Sequence, residues 1–133
     1  MTKEDWKKVR VELQFPYGRA ELLCDGYALT LQVQQVKPLK FEIGFYVNGF
    51  FKGEFIVMDC EERRRFSCPK QAFVFPPADR TRLLKELGTR RAHRMFPDID
   101  KKFTWYSSHW SSFASLKRHL VANNKVIELK EIQ

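Results

Sequence analysis

The chain has 133 residues, 44% of them hydrophobic and 14% aromatic, with a formal net charge of +8. That is enough apolar material for one core without disulfide staples and too much for a disordered chain, so a single domain over residues 1–133 is expected. No apolar run approaches the ~18 residues of a membrane span, residues 1–8 (MTKEDWKK) hold no apolar signal core, and three cysteines without close pairing suit a reduced cytosol.

Residues 9–15 alternate, with Val9, Val11, Leu13 and Phe15 set against Arg10, Glu12 and Gln14. A period of two predicts a half-buried strand. Pro16-Tyr17-Gly18 turns the chain. Residues 20–24 and 27–36 predict two more strands about Asp25-Gly26. A two-residue loop there pairs Cys24 with Tyr27, Leu22 with Leu29 and Ala20 with Leu31, all on one face.

Lys37-Pro38 breaks the run, and residues 40–59 (KFEIGFYVNGFFKGEFIVMD) place two apolar runs around Asn48-Gly49, a strong hairpin signal. A two-residue loop would pair Val47 with Phe50 and Phe45 with Lys52, mixing charged and apolar positions on each face. A three-residue loop pairs Tyr46 with Phe50, Phe45 with Phe51 and Phe41 with Phe55. That register collects the aromatics on one face and Lys40, Glu42, Lys52 and Glu54 on the other, so it is the one expected. This hairpin is expected at the centre of the sheet.

The charge run and Pro69 in residues 60–71 (CEERRRFSCPKQ) predict a loop or irregular edge. Residues 71–75 predict a short strand ended by Pro76-Pro77. Asp79 then reads as the N-cap of a helix with Leu83, Leu84 and Leu87 as its buried stripe and Gly88 as its C-terminal stop. Continuing that stripe would bury Arg91 and Arg94 unpaired, so residues 89–96 form a separate, exposed basic segment. Pro97-Asp98 turns into an extended KFTWY, and a Ser-rich stretch precedes a helix with Phe113, Leu116, Leu120 and Val121 inside and Lys117 and Arg118 outside. Asn123-Asn124 offers a left-handed cap, and residues 126–132 read as a final strand. The fold class is therefore α+β: an N-terminal antiparallel meander of about five strands, with two short C-terminal helices packed on one face and a final strand.

Charge carries the functional signal. Residues 1–60 hold eight basic and eight acidic side chains, whereas residues 61–133 hold sixteen and eight. The excess is arginine-rich: Arg63, Arg64, Arg65, Arg80, Arg82, Arg90, Arg91 and Arg94 fall within 32 residues. Arginine binds phosphate through paired hydrogen bonds, so a polyanionic partner is expected. Nearby aromatics suit base stacking or core packing. Phe66, Phe103, Trp105 and Phe113 are expected in the core. Tyr106 and Trp110, flanked by serines and His109, are expected at the surface. The candidate binding residues are Arg63, Arg64, Arg65, Arg90, Arg91, Arg94, Tyr106, Trp110, Lys117 and Arg118.

Other chemistry finds little support. Cys60 and Cys68 lack a tight zinc spacing, and Cys24 falls inside a strand. Residues 97–102 (PDIDKK) superficially resemble the acidic and Asp-x-Lys elements of restriction-type nucleases, but Asp98 and Asp100 share one turn and no second acidic strand accompanies them to hold Mg²⁺. The serines around His109 have no glycine-flanked elbow or acidic orienter and read as helix caps. No catalytic residue, metal or cofactor is implied.

NGFFKGEF (residues 48–55) and WSSFASLKRHLVANNKVIEL (residues 110–129) resemble segments of small bacteriophage and prophage proteins of uncharacterised function. The resemblance covers 28 of the 133 residues, about a fifth of the chain, and assigns no catalytic residue. It implies a mobile-element protein in the cytoplasm of a bacterial host, of a kind that often binds host or phage machinery, including as inhibitors of CRISPR or other defence complexes. Four readings follow: a non-enzymatic binder of a nucleoprotein complex or its nucleic-acid groove, a direct DNA- or RNA-binding protein, a metal-dependent nuclease, and a small oligomerising structural protein.

Overall fold

A computed structural model describes residues 1–132, which form two compact units. One comprises residues 1–68 and 106–132, the other residues 69–105. The class is α+β, with a five-stranded antiparallel sheet, a two-stranded ribbon and six helices.

The larger unit begins with helix α1 (Lys3–Glu12), not a strand. Thr2 caps it: its hydroxyl accepts from Asp5 N at 3.1 Å, and the Asp5 carboxylate accepts from Thr2 N at 3.2 Å. Two periods overlap in this segment. Val9 and Leu13 satisfy alternation, but with Trp6 they also satisfy helical spacing, and these three are buried while Val11 and Phe15 are exposed.

Strands β1 (Arg19–Cys24) and β2 (Tyr27–Lys37) pair in the expected register, Cys24 with Tyr27, Leu22 with Leu29 and Ala20 with Leu31. Strand β3 (Lys40–Val47) pairs with β2, placing Leu31 opposite Phe45 and Val33 opposite Ile43. Alternate residues of these three strands build one apolar face.

The Asn48-Gly49 hairpin is not completed. Both residues take positive φ, 51° and 85°, which makes the tight two-residue turn that had been set aside, with Val47 and Phe50 exchanging backbone hydrogen bonds of 2.8 and 3.0 Å. Asn48 is also tied to Ala28, donating to its carbonyl and accepting its N–H at Oδ1. Pairing stops after Phe50, and helix α2 (Glu54–Val57) follows where a strand was expected. Phe51 and Phe55, four apart, still meet Phe45, with centroids 5.5 and 6.4 Å away. The outer edge of β3 goes instead to β6 (His109–Trp110), pairing Ile43 with Trp110 and Gly44 with His109. Strand β3 is consequently second from one edge, and β2 is central, in the order β6-β3-β2-β1-β7, where β7 is Ile127–Ile132.

Helix α3 (Glu61–Phe66) replaces the expected loop. Its acids lead and its bases follow, matching the helix dipole, and Glu61–Arg65 and Asp59–Arg63 are i,i+4 ion pairs. Helix α6 (Phe113–Asn123) is capped by Ser112 and buries Leu116 and Leu120, while Val121 is exposed. Asn124 ends it with extended backbone, φ −134°, rather than a left-handed cap, because its side chain turns back to donate to Leu120 O. Strand β7 (Ile127–Ile132) closes the sheet against β1. The apolar face is covered by α1 and α6, with Phe55 and Phe66 from α2 and α3, rather than by the two late helices alone.

The smaller unit contains most of ribbon β4 (Cys68–Phe73) and β5 (Lys102–Ser107), together with helices α4 (Pro77–Leu87) and α5 (Thr89–Met95). Helix α4 starts with Pro77 at its first position after Pro76, so Asp79 lies inside the first turn instead of capping it. Gly88 ends it with φ 78°, as expected. Leu83, Leu84 and Leu87 are only half-buried. Within the unit, Ala92 and Ile99 are buried, and Phe75 meets Phe96 edge-on at 5.9 Å.

The helical reading of residues 3–12 has a direct test. Leu13→Ala should cost about 2–5 kcal/mol in chemical denaturation, whereas Val11→Ala should stay within about 0.5 kcal/mol. A half-buried strand would make the two equally costly.

Candidate nucleic-acid interface

The arginine cluster separates into two kinds. In the larger unit, Arg65 is anchored: it donates to Glu61, to Asp25 at 2.7 Å and to Asn124 Oδ1 at 2.9 Å. Arg63 pairs with Asp59 at 3.3 Å and lies over the Tyr106 ring, 4.1 Å from its centroid. Arg64 is 61% exposed and reaches Asp59 at 3.7 Å. Arg63 and Arg65 therefore hold the fold, and Arg64 is the one of the three that faces solvent.

Trp110, expected at the surface, is 3% exposed. Its indole N–H donates to Phe66 O at 2.9 Å, and its ring lies against His119. Tyr106 is half-buried beneath Arg63. The serine and histidine context misled because His109 is itself held by the sheet. Its Nε2 meets Gln34 Oε1 at 2.9 Å, and Gln34 donates to Tyr46 Oη at 2.8 Å. Gln34 lies where a Cβ on Gly44 would be, 2.8 Å away, so Gly44 leaves room for this polar chain.

Lys117 lies over the Trp6 ring at 5.4 Å and lines a cleft of about 560 Å³ with Lys3, Lys7, Arg10 and Phe113. Lys3, Lys7 and Arg10 share a face of α1 at helical spacing, a cluster hidden by the neutral charge of residues 1–60. Arg118 is exposed.

In the smaller unit, Arg90, Arg91 and Arg94 of α5 are exposed and have no acidic partner among the described residues. Residues 69–105 hold nine basic and four acidic side chains, net +5 of the chain's +8. One face of the ribbon has Phe73 flanked by Arg80 at 4.1 Å and Lys102 at 5.0 Å. Phe103 and Trp105, expected in the core, are 50% and 43% exposed. Lys70 lies over Trp105 at 5.5 Å. With so small a core in this unit, alternation along β5 has no second apolar layer to bury them.

Asp100 is structural. It accepts from Arg80 at 2.6 Å and from His93 Nε2, while His93 Nδ1 donates to Thr89 O at 2.6 Å. Both ring nitrogens face acceptors, so the cationic imidazole satisfies both. The Thr89 carbonyl, then Asp100, raise the His93 pKa, and Arg80, then His93, lower that of Asp100. Among the described residues no group of three or more His, Cys, Asp or Glu is placed to hold a metal ion. Burial pushes the Cys24 thiol up to about 12 and leaves it inert. Among the described residues no helix is long and apolar enough to cross a membrane.

No family model, curated protein or solved structure matches the chain.

Two pH dependences follow. The N–H groups of Lys125 and Val126, with Arg65, hold the Asp25 carboxyl at about 2, below its ordinary 3.8. The stability it contributes is complete above the ordinary carboxylate range and is lost as pH falls through about 2. Denaturation at stepped pH should show that loss, and Asp25→Asn should be less stable at neutral pH and flatter across that window. The raised His93 pKa works in the opposite sense: its tie to Asp100 is complete below 6.5 and is lost as pH rises through the higher folded value. An NMR titration should place the His93 midpoint above 6.5, and Asp100→Asn should bring it back down.

Proposed function

We propose that this is a small non-enzymatic binding protein of phage or mobile-element type. Its basic, arginine-rich second half engages a nucleoprotein complex or the nucleic-acid groove of one in the cytoplasm of a bacterial host. In that role it acts as an inhibitor, against CRISPR or another defence complex. The observation that carries the reading is the set of unpaired arginines on α5 within a unit of net +5. Three clustered guanidinium groups repel one another, and a polyanion relieves that repulsion while filling their donor sites. Direct binding of DNA or RNA is the second reading, favoured by the exposed Phe103 and Trp105 beside Lys70.

The test is capture of partners from bacterial lysate, with and without nuclease treatment, by the wild type and by the Arg90→Ala/Arg91→Ala/Arg94→Ala variant. The variant should lose capture with an unchanged melting temperature, since surface substitutions away from such contacts cost within about 0.5 kcal/mol. Undiminished capture by the variant would remove the proposal.

A further inference from the structure

We infer that the β4–β5 ribbon is a stacking platform for unpaired bases, so that the partner of the basic unit is single-stranded nucleic acid; this rests on the polyanion-binding reading above. Phe103 and Trp105 are alternate residues of β5 and therefore share one face of the ribbon. Both are large aromatics left substantially exposed, 50% and 43%, in a unit whose own buried residues are Ala92 and Ile99. Of the three tryptophans, Trp6 and Trp110 are buried, so Trp105 alone presents a ring to solvent.

Charge identifies the occupant of this face. Lys70 from the paired strand lies over Trp105, and Lys101 and Lys102 immediately precede Phe103. A protein partner with an apolar patch would not call for net +5 across 37 residues, whereas a strand of phosphates with exposed bases needs both features. Spacing excludes a duplex. Side chains two apart on a strand are separated by about 7 Å, twice the roughly 3.4 Å rise of a stacked duplex strand. Bases on both rings must be unstacked from each other, as in an open single strand. In a duplex every base face is already covered by its neighbour.

The platform works by replacing base–base stacking with base–aromatic stacking, while Lys70 neutralises the phosphates between. Every base has a π face, so recognition tolerates sequence.

The experiment is fluorescence anisotropy at low salt with labelled oligothymidylate and oligouridylate of about 20 nucleotides, a length that exceeds one typical stacking site, and a duplex of equal length. Wild type should bind one or both single strands more tightly than the duplex, and unlabelled strand should quench tryptophan emission. Phe103→Ala/Trp105→Ala should weaken single-strand binding by about five- to a hundredfold per base lost. Trp105→Phe should keep most of the affinity and lose the quenching, which separates stacking from a folding defect. Duplex binding as tight as single-strand binding, or full affinity in the double alanine variant, overturns the platform and leaves the α5 arginine reading standing. Failure of wild type to bind any of the three probes also overturns it. In that case, nuclease-resistant lysate capture that still depends on the α5 arginines would keep the wider reading.

Discussion

The larger unit is closed by one carboxylate. Asp25, in the turn between β1 and β2, accepts the N–H groups of Lys125 at Oδ2 and Val126 at Oδ1, each at 2.8 Å, where the chain leaves α6 for β7. Its own N–H donates to Val126 O at 2.9 Å. These bonds set the point at which β7 enters beside β1, so that Cys24 pairs with Ile127. The same carboxylate receives Arg65 from α3, and Arg65 in turn reaches Asn124, whose amide caps α6. Next to Arg65, Phe66 is buried, and its carbonyl receives the indole of Trp110. A path of hydrogen bonds thus runs from the β1–β2 turn to the edge strand β6.

That path explains what could be read from the chain and what could not. The β1–β2 pairing was legible to the residue because a dominant turn signal and an alternating apolar face agreed. At Asn48-Gly49 the turn signal held but the register inference failed. The aromatics at 51 and 55 fit a strand face and a helical turn equally well. The decision lay with His109-Trp110, more than fifty residues away in sequence, which takes the β3 edge. The N-terminal segment failed for a related reason. Val9 and Leu13 serve either period, and the deciding feature is the capping pair Thr2 and Asp5, which lies ahead of the alternating stretch. The acidic-then-basic order of residues 59–65 was a helix signal with i,i+4 partners that a charge-run reading passed over.

The candidate surface was legible as a charge excess but not as geometry. Composition cannot separate an arginine with an acidic partner from one without. Arg65 has its partners in Glu61 and Asp25, and Arg63 has Asp59 and Tyr106, so both are occupied. Arg90, Arg91 and Arg94 lie in α5, whose seven residues contain no acid, and that local absence was visible in the sequence. The aromatics exchanged roles: Trp110 went to the core because an edge strand carried it there, and Trp105 stayed out because its unit has little core to offer.

The central claim is that the α5 arginines are free to meet phosphate whereas Arg63 and Arg65 of α3 are engaged in the fold. The most direct measurement is the salt dependence of oligonucleotide affinity for wild type and for the variant lacking all three α5 arginines. Each phosphate contact releases counterions and contributes about 0.7 to the slope of log affinity against log salt on a single strand. Loss of three contacts should flatten the slope by about 2. Superimposable slopes for the two proteins would contradict the assignment.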